Sequence, residues 1–148
     1  MPRSGRSTRR YLADTNVYVA AVKRSGRITP SRRLLEHFLN DPRIELVGNA
    51  WWLEELLRYA EESRSEAALE LAEELAQKVE ILELAERFVA ACSELVGAEN
   101  PVDTLHAATC LQSDATLISN DPDFDRIRDA HVIRVLSITE ALKRTRII

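Results

Sequence analysis

The sequence predicts an α/β domain built on a central, mostly parallel, twisted sheet of about four or five strands, with helices on both faces. Three observations carry this expectation. Short apolar or β-branched runs recur along the chain, each is followed by a longer segment with apolar residues at helical spacing, and Gly, Asn, Asp or Pro punctuate the joins. Short strands alternating with helices make crossover connections, and such connections produce parallel pairing with helical cover.

Taken in order, Arg10 to Ala13 reads as a short buried strand, followed by helical turns over Asn16 to Val22 and a break at Ser25-Gly26. Thr29 and Ser31 flank Pro30, a combination suited to an N-cap and first turn, and Leu34, Leu35, Phe38 and Leu39 then recur at helical spacing as far as Asn40-Asp41-Pro42. Ile44 to Val47 is a second strand, broken by Gly48-Asn49. Trp51 to Glu62 then returns to a helix with Leu53, Leu56, Leu57 and Ala60 on one face. A further Ala-, Leu- and Glu-rich helix covers Ser65 to Gln77, and the charged stretch from Glu61 to Gln77 reads as a solvated clamp or dimer arm.

Val79 to Leu82 alternates as a third strand, and Ala85 to Val96 is a helix closed by Gly97. After the loop at Asn100-Pro101, Asp103 or Thr104 opens an apolar helix through Leu111. Ala115 to Ser119 and Val132 to Leu136 are the last two strands, and Ser137 or Thr139 caps a closing helix.

Composition narrows the class. At 148 residues, 45% hydrophobic and 30% charged, the chain has the size and balance of one globular domain, so no second domain is expected. No apolar run approaches the roughly 20 residues of a membrane helix, and no apolar signal segment follows the basic N-terminus, so the expected location is the cytoplasm, away from membranes. Cys92 and Cys110 lack metal-ligand spacing and read as buried free thiols. A net charge of −4 argues against binding nucleic acid by bulk charge. Arg3, Arg6, Arg9 and Arg10 nevertheless make residues 1–10 a basic, flexible tail, either phosphate-binding or merely solubilising, ahead of a folded domain over 11–148.

The acids are the informative feature. Four acidic clusters fall at element boundaries: Asp14 after the first strand, Glu54-Glu55 inside the helix after the second, Asp103 at a helix start, and Asp121 with Asp123 after a later strand. Each has a local account. Asp14 and Asp103 suit N-caps, Glu54 and Glu55 suit a first helical turn, and Asp121 and Asp123 form turns beside Pro122. None of these accounts explains why acids follow successive strands, where a parallel sheet brings them to one edge. Carboxylates gathered there repel one another unless a cation neutralises them, and all-oxygen ligation suits Mg²⁺ or Mn²⁺ rather than zinc. The chemistry natural to such a site is phosphodiester hydrolysis.

Asp14-Thr15-Asn16, the segment Asn49 to Leu56, the run Asp103 to Ala108 and the stretch Leu117 to Phe124, in this order, resemble a PIN domain across nearly the whole chain from Tyr11 onward. The resemblance implies a single α/β nuclease domain with an acidic, Mg²⁺- or Mn²⁺-dependent site. It also implies an endoribonuclease of the kind found as the toxin in VapBC toxin–antitoxin pairs, with RNA as substrate, a small antitoxin as partner and a homodimer as assembly. By the same resemblance Asp14, Glu55, Asp103 and Asp121 match the catalytic acids, and Asp14, Asp103, Asp121 and Asp123 the metal ligands, with Asp123 an added ligand or water-positioner.

Glu55 fits the family pattern through Leu56 and Asn49, whereas helical periodicity lets either Glu54 or Glu55 face the groove. Thr15, Asn16 and Asn120, with Glu54, are supporting candidates, and Ser119 is a similar case; a capping hydroxyl or turn amide is the other reading for Thr15 and Asn16. Arg58 and Arg126, with Arg128 nearby, are candidates for holding substrate phosphates. His106, one turn after Asp103, reads as a packing residue, and at least one of Trp51 and Trp52 as core or dimer packing. Three other readings remain. They are a non-catalytic RNA- or protein-binding module of the same fold, a housekeeping RNA-processing nuclease, and a phosphotransfer domain with Asp14 as nucleophile.

Overall fold

The computed structural model describes residues 9–23, 27–97 and 99–145. Arg3 and Arg6 of the expected basic tail, and the break at Ser25-Gly26, lie outside them. The first half of the chain forms β1 (Arg10–Ala13), α1 (Thr15–Val22), α2 (Pro30–Asn40), β2 (Glu45–Gly48), α3 (Ala50–Ser63), α4 (Glu66–Lys78) and β3 (Val79–Ile81). The second half adds α5 (Glu86–Val96), α6 (Pro101–Ser113), β4 (Thr116–Ile118), a 3-10 turn at Pro122–Phe124, α7 (Asp125–Asp129), β5 (Arg134–Leu136) and α8 (Ile138–Arg144).

All five strands are parallel, in the order β3-β2-β1-β4-β5. The chain winds outward from β1 to β2 and β3, then returns to pair β4 on the other side of β1, with Leu12 opposite Leu117 and Ala13 opposite Ile118. The winding direction therefore reverses between β1 and β4, and a crevice opens beyond the carboxyl ends of those two strands. Helices α1, α2, α4 and α8 pack with one another, and α5 packs with α6 and α7. Two such groups are what right-handed crossovers on either side of β1 produce.

The local signals explain most elements. Thr29 caps α2 ahead of Pro30, and Ser137 and Glu140 form a capping box on α8, which settles Ser137 over Thr139. Gly48 ends β2 because the Trp52 indole lies against it: a Cβ there would stand 3.1 Å from the ring. Trp52 is 2% exposed and its Nε1–H donates to the Ala13 carbonyl at 2.7 Å, whereas Trp51 is 47% exposed. The two adjacent tryptophans thus divide between core and surface, as a helical turn requires.

Two expectations are corrected, and one helix is added. Helix α6 opens at Pro101 with Asn100 in the N-cap position, two residues before Asp103, because Pro is well suited to a first helical position. The stretch Glu61 to Gln77 is no solvated arm: Arg64, at φ 55, ends α3, and α4 buries Ala68, Leu71, Ala72 and Leu75 while Tyr18 Oη donates to the Ala68 carbonyl at 2.7 Å. Helix α7 has five residues with one buried apolar side chain, Ile127, too short for any periodicity to announce. No helix among the described residues is long and apolar enough to cross a membrane.

Candidate metal centre

Asp14 stands directly after β1, where its backbone N–H extends the ladder to the Ile118 carbonyl of β4 at 3.0 Å. It occupies the N-cap position of α1 without a side-chain capping hydrogen bond, although the Asn16 and Thr15 backbone amides lower its pKa. Instead Oδ2 accepts from Ser119 Oγ at 2.9 Å, across the switch point. Ser119 also accepts the Asp121 N–H at 3.0 Å, so one hydroxyl ties two acids that follow different strands. Asp14 is only 4% exposed, and burial raises its pKa against the lowering effect of Ser119, with the charge of Asp121 raising it further. Removing the hydroxyl in Ser119→Ala is expected to weaken metal affinity or activity about 10- to 100-fold, as loss of an orienting partner does. Titration calorimetry beside initial rates checks it, and wild-type values in both would count against the bridge.

Asp103, Asp121 and Asp123 each offer an oxygen to a set lying within 4.8 Å of one another. Asp103 is the third residue of α6, so the helix N-terminus helps hold its charge. Asp121 caps the 3-10 turn by accepting the Asp123 N–H at 2.9 Å; its turn-forming role is real and coexists with membership of the cluster. Burial and the charges of Asp14, Asp121, Asp123 and Glu55 push the Asp103 pKa up to about 6.

The fourth element contributes Glu55. Glu54 and Glu55 are the fifth and sixth residues of α3, beyond the first turn that would favour acids, so the helix-dipole account does not apply to them. Glu55 is half-buried and accepts from Thr15 Oγ1 at 2.9 Å, whereas Glu54 is exposed, and it is Glu55 whose charge reaches Asp103. Geometry thus separates two residues that periodicity could not.

The remaining candidates fall around this centre. Asn16 is exposed, and its backbone amide helps hold down the Asp14 pKa. The Asn120 carboxamide oxygen accepts the Ile138 N–H at 2.9 Å, tying the end of β4 to α8 rather than reaching the acids. Arg58 lines a groove of about 310 Å³ with Thr15, Asn16, Glu55 and Tyr59. Arg126 is exposed on α7; the arginine lining the groove beside Asp121 is Arg128, which is ion-paired with Asp125 and Asp129. Sequence reasoning gave no role to the Asn49 side chain, which caps α3 and binds Thr109 and His106. Partners more than fifty residues apart leave no local signal.

The donor set fits a divalent cation. Three carboxylates in reach of one ion, with two more whose charges add to the repulsion, form an arrangement that a hard cation relieves. The sequence expectation included Asp14 among the ligands; the close triad is Asp103, Asp121 and Asp123, with Asp14 coupled to it through Ser119 and Asp121. The raised pKa of Asp103 has a consequence for stability. Its folded value lies above the ordinary carboxylate value, so between about pH 4 and 6 the folded state holds more protons than the unfolded one. Metal-free protein is therefore expected to lose stability as pH rises through that window, and Asp103→Asn to lose less. Thermal melts with chelator from pH 4 to 7 check this, and identical slopes for the two proteins would refute it.

This fold and edge of acids define an α/β domain of the PIN type. A family model described as "PIN domain" matches residues 11–130, and the chain belongs to that family. Among solved structures, VapBC-1 from nontypeable Haemophilus influenzae has a chain 21% identical, with a TM-score of 0.61, covering 88% of this chain and 98% of that one. VapBC2 from Rickettsia felis, bound to a DNA fragment from its promoter, has a chain 20% identical with a TM-score of 0.56, covering 86% and 98%. At these identities the likeness is one of fold. No curated protein sequence matches the chain.

Proposed function

We propose that this chain is a Mg²⁺- or Mn²⁺-dependent endoribonuclease, acting in the cytoplasm as the toxin of a VapBC-type toxin–antitoxin pair. The observation that carries the reading is the convergence of Asp14, Glu55, Asp103, Asp121 and Asp123, from four separate elements, on the switch point of the sheet. The likeness to chains of two VapBC structures supports a small antitoxin as partner, and a homodimer is the proposed assembly.

Asp103, Asp121 and Asp123 would hold the cation, which when bound supplies Lewis-acid activation of water and offsets charge developing on a phosphodiester in displacement. The chain's own residues do the rest. Ser119 aims Asp14 at the same space, and Thr15 holds one oxygen of Glu55, leaving the other free to accept a proton from the attacking water. Arg58 in the adjoining groove supplies a cation for a flanking phosphate.

Incubating purified protein with end-labelled RNA, with Mn²⁺, Mg²⁺ or chelator, tests the reading. Internal cleavage that requires the cation supports it. Cation-independent cleavage, no cleavage, or a stable phosphoenzyme at Asp14 would overturn it.

A further inference from the structure

The sheet has a second charged edge. Asp14 and Asp121 follow the carboxyl ends of β1 and β4, whereas Arg9 immediately precedes β1, Arg43 stands just before β2, and Arg134 opens β5. Because all five strands are parallel, these three arginines lie at the edge opposite the acids. Helix α8 leaves the carboxyl end of β5 and runs back along the sheet, which brings Arg144 of its last turn to the same place.

Arg9, Arg43, Arg134 and Arg144 line one groove of about 590 Å³. Its single acid is Asp41, and Arg43 occupies both carboxylate oxygens: Nε donates to Oδ1 at 3.1 Å and Nη2 to Oδ2 at 3.0 Å. An adjoining groove of about 480 Å³ shares Thr116, Arg134, Leu136 and Arg144 with the first and continues to Arg128. The acid there, Asp129, is paired with Arg128 at 3.1 Å. Arginines therefore line the whole length, in a chain whose net charge is −4.

Local structure accounts for part of this. Arg43 neutralises Asp41, and a cation at the end of α8 suits the negative pole of the helix. Arg134 is held in place, its Nε donating to Thr116 Oγ1 at 3.0 Å and its Nη2 to the Asp114 carbonyl at 3.1 Å. Nη1 is left to donate elsewhere, and Thr116, accepting from Arg134, keeps its own hydroxyl hydrogen to give. Arg9 and Arg144 are exposed, and among the described residues neither has an ion-pair partner. Gathered cations repel one another, and an anion relieves the repulsion. From Arg43 beside β2 to Arg134 on β5 the groove crosses three inter-strand spacings of about 4.8 Å, about 14 Å in all. That length exceeds one phosphate and fits a chain of them.

We propose that this groove is a second RNA-binding site, in which Arg9, Arg134 and Arg144 hold the sugar–phosphate backbone of single-stranded RNA away from the metal centre. The two edges then divide the work. Carboxylates at the carboxyl edge repel phosphates until a cation is bound, so they supply chemistry and little affinity, while arginines at the amino edge supply affinity by displacing counterions from the RNA. The choice of RNA as the polyanion rests on the nuclease reading.

The test is binding of fluorescein-labelled polyuridylate to the full chain, followed by anisotropy in chelator, so that no cleavage is needed. Arg9→Gln with Arg144→Gln changes two side chains that hold nothing else in the fold. This double variant is expected to bind about tenfold more weakly at low salt, and its plot of log affinity against log salt should flatten by about 1.4, at about 0.7 per lost phosphate contact. Lys23→Gln with Arg87→Gln removes the same charge elsewhere and should bind like wild type. With cation present, KM for the same RNA should rise about tenfold in the groove variant, as loss of binding dictates. Wild-type affinity in the groove variant, or a loss matched by the control pair, would overturn the proposal. So would displacement of the RNA by inorganic phosphate at equal phosphate concentration, the mark of a pocket for one small anion. If wild-type protein cuts no RNA yet binds it through these arginines, the nuclease reading fails and the groove stands. If it cuts RNA and the groove variant binds as wild type does, the groove fails and the nuclease reading stands.

Discussion

Asp103→Asn is expected to abolish cation-dependent RNA cleavage, by about 10³-fold or more in kcat, while leaving a folded protein that is at least as stable as wild type. Both halves follow from one feature. Asp103 is held in an environment that disfavours its charge: burial first, and then the charges of Asp14, Asp121, Asp123 and Glu55, raise its pKa to about 6. Neutralising it removes an unfavourable charge from the metal-free fold, and so costs no stability. The same change removes a ligand from the Asp103, Asp121, Asp123 set, and the several kcal/mol of transition-state stabilisation that a correctly held cation supplies correspond to a rate factor of that size. Asp103→Asn offers nearly the same shape, so a rate loss cannot be assigned to misfolding. Single-turnover cleavage at saturating Mn²⁺, with thermal melts of the same preparations, gives both quantities. A variant within tenfold of wild type would remove Asp103 from the machinery.

Glu55→Gln should lower kcat by about 10²-fold or more, the usual worth of a positioned proton acceptor, whereas Glu54→Gln should stay within about twofold. The two residues are adjacent and chemically identical, so the contrast isolates position. Thr15 Oγ1 holds Glu55 at 2.9 Å, and Glu54 points to solvent. Equal losses in both variants would mean that α3 contributes only its general negative charge. The reverse order would mean that the helix turns to present Glu54 when RNA is bound.

The contrast between these two glutamates also marks what the sequence could convey. The alternation of strand and helix was legible because each element has its own punctuation: Thr29 before Pro30, Gly48-Asn49 at the end of β2, Ser137 with Glu140 at α8. The five-stranded parallel sheet follows from that alternation, and with it the placing of Asp14 and Asp121 beyond neighbouring strands. Successive residues of a helix differ by about 100° in direction, so both glutamates flanked the apolar stripe, and only the packing of α3 against α1 selects one.

Other features were out of reach for a similar reason. Ser119 bonds Asp14 across 105 residues, and Asn49 meets His106 across 57. Nothing local at Ser119 distinguishes it from Asn120, whose side chain turns the other way to cap Ile138. The buried face of α4 was obscured by composition: its glutamates dominate the segment, while Ala68 and Ala72 let the helix lie close to Tyr18 without adding a strong apolar signature. The family resemblance supplied the acids by position. The hydrogen bonds that orient them come from the fold.

All of these expectations depend on five carboxylates from four elements acting as one cation site. Titration calorimetry with Mn²⁺ measures that most directly, comparing wild-type protein with Asp103→Asn and with the pair Asp121→Asn and Asp123→Asn. Saturable binding to wild type, weakened by at least tenfold in both variants and accompanied by proton release below pH 6, is the expected result. Affinity unchanged in either variant, or no saturable binding to wild type, would contradict a shared carboxylate site.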